Sequence, residues 1–201
     1  MKILLLADTE DPALWDYYRK EHLAGCEMIL AAGDLKAEYL TFLVTMSNLP
    51  VFYVHGNHNA AYDHYPPEGC ECIDDRLVTV NGLRILGLGG SAVYSGGKYQ
   101  YTERQMKRRI ARLKGKVRRM GGVDIVLTHC PPKGFGDADD YAHRGFEAFL
   151  PMLDKWKPKA LVHGHVHMTY GRTPRELRCG DTRIINAYQK YMLEMEPESA
   201  E

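Results

Sequence analysis

No apolar run in this chain of 201 residues approaches the roughly 18 that a membrane-spanning helix needs. Net charge is missing too. The 26 Lys and Arg balance 26 Asp and Glu, which excludes a global pull toward nucleic acid or an anionic membrane surface. Cysteine is sparse and odd in number, five residues at 26, 70, 72, 130 and 179. The start "MKILLLADTEDP" turns acidic too early for a secretory leader, so the cysteines read as reduced thiols in a cytoplasmic protein. Cys70 and Cys72 in "CEC" lack zinc-finger spacing. Internal repeats and long linkers are also wanting. One domain over residues 1–193 is expected, with 194–201 as an acidic, frayed tail.

What is present is a succession of short apolar runs that end in Gly, Asp, Asn or His: "KILLLAD", "EMILAAGD", "PVFYVHGNH", "DIVLTHCPP" and "ALVHGHVH". Runs of this length bounded by turn residues read as buried strands. "WDYYRKEHLAG" and "LKAEYLTFLVTMSNL" read as helices between the first three, which makes parallel βα units. Asn81-Gly82 and Gly180-Asp181 each suggest a two-residue hairpin turn later in the chain. The sum fits two packed sheets with helices outside. "GLGGSAVYSGG" is glycine-rich after a strand, but no helix pattern follows it as a dinucleotide fold requires.

The polar residues of interest fall where strands end: Asp8 and Glu10, Asp34, Asn57 and His58, His129, then His165 and His167. Loops beyond the carboxyl ends of strands in α/β sheets converge on one crevice. A mixture of oxygen and nitrogen donors suits Mn, Fe or Zn better than Ca or Mg. Gly33, Gly56 and Gly164 each precede an expected ligand and let short side chains approach a metal. His165 and His167 are two apart, so in extended chain both project to one side.

In order, "DTE" at 8–10, "GD" at 33–34, "GNH" at 56–58, "THCPP" at 128–132 and "GHVH" at 164–167 resemble the calcineurin-like metallophosphoesterase superfamily. "PPEGC", "AHRG", "HVHMTYG" and "NAY" resemble a compact bacterial branch of it. The resemblance implies a four-layer α/β/β/α sandwich of two mixed sheets flanked by helices. It implies two divalent metals, one on Asp8, residue 10, Asp34 and His167, the other on Asp34, Asn57, His129 and His165. Asp34 would bridge them, and a metal-bound hydroxide would attack a small phosphodiester or phosphomonoester. His58 would stabilise the transition state or protonate the leaving oxygen.

Two positions depart from that pattern. Glu10 stands where the superfamily has His. An extra carboxylate among the ligands favours Mn or Fe over Zn and blunts Lewis acidity; if Glu10 does not reach, one metal position is weakened. Asn59 stands where an acid is common, so no acidic partner for His58 is evident. His163 reads as structural, His143 as a substrate contact in a polar loop, and His55 and His64 as packing or surface residues.

Residues 101–120 carry nine Lys or Arg against Glu103 alone, while Met106, Ile110, Leu113, Val117 and Met120 recur at helical spacing. That is a helix with an apolar stripe and a basic outer face. The solvated reading of that face stands beside a nuclease reading, in which it tracks nucleic-acid phosphates. A third alternative is a catalytically weakened binding member, resting on Glu10 alone.

Overall fold

The computed structural model of the protein describes residues 1–170 and 174–196. The first half of the chain contains β1 (Lys2–Leu6), β2 (Cys26–Ala31), α1 (Ala37–Ser47), β3 (Val51–Tyr53), β4 (Glu71–Cys72), β5 (Leu77–Val80), β6 (Leu83–Leu88) and β7 (Ser91–Ala92). The second half contains β8 (Gln100–Tyr101), α2 (Glu103–Arg119), β9 (Ile125–Thr128), α3 (Phe149–Trp156), β10 (Ala160–His163), β11 (Glu176–Cys179), β12 (Thr182–Asn186) and β13 (Tyr191–Glu194). One sheet runs β13-β1-β2-β3-β4 and the other β11-β12-β10-β9-β6-β5, with β7 and β8 as a small parallel pair. Both large sheets are mixed. β13 is antiparallel to β1, and the hairpins β5/β6 and β11/β12 turn at Asn81-Gly82 and Gly180-Asp181, as expected.

Strand periodicity explains the layers. In β1, Ile3 and Leu5 point into the seam between the sheets while Leu4 and Leu6 point out beneath α1. In β9, Ile125 and Leu127 face the same seam and Val126 faces α2 and α3. Both faces of the central strands are therefore covered, which is why they read as unbroken apolar runs. The result is the expected α/β/β/α sandwich.

α2 begins with a capping box: Thr102 accepts from the Gln105 N–H, and the Gln105 side chain accepts from the Thr102 N–H. Met106, Ile110, Leu113 and Val117 bury its apolar stripe. Arg109 does not belong to the outer face. Its Nε donates to Asp75 at 2.8 Å and an Nη to the Gly89 carbonyl at 2.6 Å, and its guanidinium stacks on Tyr101.

The helix expected over "WDYYRKEHLAG" does not form. Residues 12–14 and 20–23 make two short 3₁₀ turns instead. Pro12 starts the first turn, Gly25 stands at φ 74°, and the aromatic side chains pack outward onto α1: Trp15 stacks on Tyr39 at 5.1 Å and Tyr18 meets Phe42 edge-on at 5.5 Å. Tertiary stacking overrides a weak helical preference there. At the other end, Glu194 closes β13 and the buried Met195 donates its N–H to the Met1 carbonyl at 2.9 Å. Residues 197–201 of the expected tail lie outside the described residues.

Asp124 joins β6 to β9 from the side of α2. Arg84 grips it with Nε at 2.8 Å and Nη2 at 3.0 Å, and the Arg84 N–H adds a third bond at 2.8 Å. Burial alone would raise the Asp124 pKa, but the bonds and charge of Arg84 outweigh it and hold the carboxyl below its ordinary value. A depressed carboxylate contributes stability above its unfolded pKa, and that contribution is lost as pH falls through the folded one. Asp124→Asn should therefore destabilise the fold at neutral pH by roughly 1–3 kcal/mol. The gap to wild type should narrow below about pH 4, in thermal melts taken from pH 7 to pH 3. A gap independent of pH would mean that the charge on Asp124 contributes nothing.

Candidate metal centre

The site is built from both sheets. Asp8 follows β1, Asp34 follows β2, and Asn57 and His58 follow β3 in the first; His129 follows β9, and His165 and His167 follow β10 in the second. Three of these residues stand in the left-handed region, Asp8 at φ 65°, Asp34 at φ 55° and His165 at φ 68°. Such backbone is costly for a side-chain-bearing residue and persists only where the surroundings over-determine it. Here they do. Asp8 accepts the His165 N–H at 2.9 Å through Oδ1, and Asp34 accepts the His58 N–H at 2.8 Å. The left-handed His165 also corrects the strand-neighbour expectation: it breaks the extended chain, and His165 and His167 reach the cavity through a bend.

Two close approaches complete the local design. A Cβ on Gly56 would overlap the Asp34 carboxylate, and one on Gly164 would lie 2.6 Å from the Ala7 Cβ and 2.8 Å from Asp8 Oδ2. Asn59 works on the same loops. Its Oδ1 accepts the N–H groups of Asp34 and Gly56, both at 2.8 Å, and its Nδ2 donates to the Leu35 carbonyl at 3.1 Å. Asn59 therefore clamps the loop after β2 to the loop after β3 and does not hold the His58 ring.

Ligand atoms of Asp8, Asp34 and His129 all lie within 4.8 Å of one another. His129 is fully buried, and its Nδ1 donates to the Ala32 carbonyl at 2.7 Å. Its Nε2 faces Asn57 Oδ1 at 3.0 Å and Asp34 Oδ2 at 3.2 Å. Burial would lower the His129 pKa, but the Asp34 charge dominates and lifts it to about 9. Burial likewise opposes ionisation of Asp34, yet His129 draws its pKa down to about 2. Asp8, lacking so close a partner, is pushed up to about 6 by burial. His165 goes the other way, down to about 3 through burial, with Nε2 donating to the Ala142 carbonyl at 2.8 Å and Nδ1 left as a lone-pair donor.

These donors fit a divalent cation. One imidazole nitrogen and two side-chain oxygens converge on a shared point, and the opposite ring nitrogen of His129 is fixed by a carbonyl, as in metal-ligating histidines. Two partly buried carboxylates at short range add the negative charge that a cation would offset.

A cavity of about 490 Å³ opens over the cluster. It is lined by Asp8, Asp34, Asn57, His58, Tyr94, His143, His165 and His167. His58 is exposed at its wall. His143 is anchored by Asp140 at 2.9 Å, its ring 5.2 Å from that of His165. His163, as expected, stays buried and neutral, its pKa lowered by burial to about 4.

Glu10, an expected ligand, does not line the cavity. Its Oε1 accepts the Lys36 N–H at 2.9 Å, which places its charge at the start of α1. Tyr94 was missed by sequence reasoning: its hydroxyl accepts from Asn57 Nδ2 at 3.0 Å. The glycine-rich segment that imitates a dinucleotide loop delivers it, and no local signal in the sequence marks it.

A second group, His55 Nδ1, Cys72 Sγ and an Asp74 oxygen, also lies within 4.8 Å. Its carboxylate is already engaged. Asp74 accepts from the His55 ring at 2.6 Å and the Gly89 N–H at 2.7 Å, and Tyr99 stacks on the imidazole. This group ties down the loop that carries Asn57 and His58.

The sequence profile of the calcineurin-like phosphoesterase superfamily domain matches residues 1–187, and the chain belongs to that superfamily. Its members are generally metal-dependent phosphoester hydrolases. A UPF0046 protein of Caenorhabditis elegans is 22% identical over 191 residues, covering 81% of this chain and 62% of that protein. Human metallophosphoesterase domain-containing protein 1 is 26% identical over 201 residues, covering 80% of this chain and 59% of that protein. The chain thus spans about three fifths of the length of these relatives. Among solved structures, TT1561 of Thermus thermophilus superposes with a TM-score of 0.66 at 15% identity, over 93% of this chain and 88% of that one. That likeness concerns the fold. Among the described residues, no helix is long and apolar enough to cross a membrane.

Because Gly164 lets Asp8 close on the bend after β10, Gly164→Ala should cost roughly 1–3 kcal/mol and displace Asp8. Metal content per chain after equilibration with Mn should fall below that of wild type. An unchanged content would show that this contact does not set the position of Asp8.

Proposed function

We propose that the cavity hydrolyses a small phosphate ester, mono- or diester, with two divalent cations drawn from Mn, Fe and Zn. The observation that carries the reading is the convergence of Asp8, Asp34 and His129 at the floor of a cavity walled by further histidines. One position would be held by Asp8, Asp34 and His167, the other by Asp34, Asn57, His129 and His165, with Asp34 shared. Glu10 is left out of the first set because it does not line the cavity, and one of its oxygens accepts the Lys36 N–H. Bound divalent ions supply Lewis acidity toward phosphoryl oxygens and lower the pKa of water.

The chain's own groups do the remaining work. The Ala32 carbonyl orients His129 so that Nε2 faces the shared point, and the Ala142 carbonyl engages Nε2 of His165 and leaves its Nδ1 free to ligate. The His58 backbone is tied to Asp34, so its exposed ring stands beside the metal positions, placed to donate a proton to the leaving oxygen. His143 and Tyr94, on the walls, would contact the ester. The nuclease alternative concerns a different surface of the molecule, the outer face of α2.

Metal-stripped protein reloaded with Mn, Fe(II) or Zn should bind two ions per chain and hydrolyse bis-p-nitrophenyl or p-nitrophenyl phosphate. Asp34→Asn should lose both metal and turnover. Glu10→Gln should keep both ions, whereas loss of one ion would return Glu10 to the ligand set. His58→Gln should keep the ions and lower turnover about 10²–10⁴-fold. Full loading without hydrolysis of either ester would sink the enzymatic reading.

A further inference from the structure

α2 presents a basic face that no carboxylate among the described residues pairs with. Of its nine Lys and Arg, Arg109 alone is buried, and the other eight are all exposed. Among the described residues, none of these eight forms an ion pair. Elsewhere in the molecule Arg76, Arg84, Lys98, Arg183 and Lys190 each meet a carboxylate. Arg104, Arg108, Arg112 and Lys116 follow one another at four-residue spacing, so four like charges stand along one ridge about 6 Å apart. Like charges at that spacing destabilise a helix.

A second feature lies at the C-terminal end of α2. A pocket of about 580 Å³ lies between α2 and α3, lined by Lys114, Arg118, Lys155, Trp156 and the backbone of Gly121 and Gly122. Trp156 is half-buried, with part of its indole packed on the α2–α3 core. An aromatic plane amid three cations suits a nucleobase with its phosphates.

We infer that the outer face of α2, with the Trp156 pocket at its end, binds single-stranded nucleic acid, phosphates on the cations and a base against the indole. An anionic membrane fits less well. The apolar stripe of α2 is buried, so the exposed arc offers no hydrophobic side chain to insert beside the charges. A duplex would use the cations but leave the indole without a free base. DNA and RNA share the chemistry invoked here. This binding does not depend on hydrolysis at the metal centre and is read without turnover.

The test is fluorescence anisotropy of labelled single-stranded DNA and RNA and of the matching duplex, over a range of salt. Affinity for the single strands should fall steeply with salt. Arg108→Gln, Arg112→Gln and Arg118→Gln together touch only exposed positions and should reduce the slope of log K against log salt by about 2, at ~0.7 per phosphate contact. Trp156→Leu should weaken single-strand binding on the order of tenfold, with little effect on duplex. In a Trp15→Phe background Trp156 is the single indole. Its emission should be quenched on binding, a readout that needs no change at position 156. Absence of binding, an unchanged slope in the triple variant, or no quenching would overturn the proposal. So would equal competition by polyglutamate, which would mark a face for any acidic protein.

Discussion

The metal centre depends on the seam between the two sheets. Asp8, Asp34 and Asn57 leave the first sheet, and His129, His165 and His167 leave the second, so neither sheet holds a complete donor set. Ile3, Leu5, Met28 and Leu30 on one side meet Ile85, Ile125, Leu127 and Val162 on the other, all of them fully buried. Close-packed interiors transmit small changes of volume as displacement. A shift of one sheet against the other would separate the Asp34 carboxylate from the His129 nitrogen, now 3.2 Å apart.

Above that seam, attraction and strain support each other. Burial raises the Asp8 pKa, while Asp34 is held ionised by His129. The left-handed backbone at Asp8, Asp34 and His165 turns the chain sharply enough for short side chains to meet. The N–H groups that these turns release are used at once, by the carboxylates of Asp8 and Asp34 and by the amide of Asn59. The same groups that could hold a cation thus also stabilise the loops that present them.

Much of this was legible along the chain. The five apolar runs became strands, α1 and the two hairpins formed where periodicity and turn residues put them, and the basic segment became one amphipathic helix. The failures share a cause. "WDYYRKEHLAG" has aromatic spacing that a helix could use, but Trp15 and Tyr18 find stacking partners on α1, contacts remote in sequence. Glu10 has the chemistry of a ligand and the position of one, yet it does not line the cavity, and the Lys36 N–H, 26 residues away, binds one of its two oxygens. Arg109 looks like its basic neighbours until Asp75 and Gly89 arrive from another loop.

By itself the sequence determined which residue types end each strand, and with them the mixed oxygen and nitrogen chemistry, because those choices are local and strand ends converge in any α/β sheet. Tertiary structure alone decided which of those side chains meet. Asn59 became a clamp, Tyr94 a wall of the cavity, and Glu10 a helix-end partner because hydrogen bonds between loops depend on distances that only the packed seam defines.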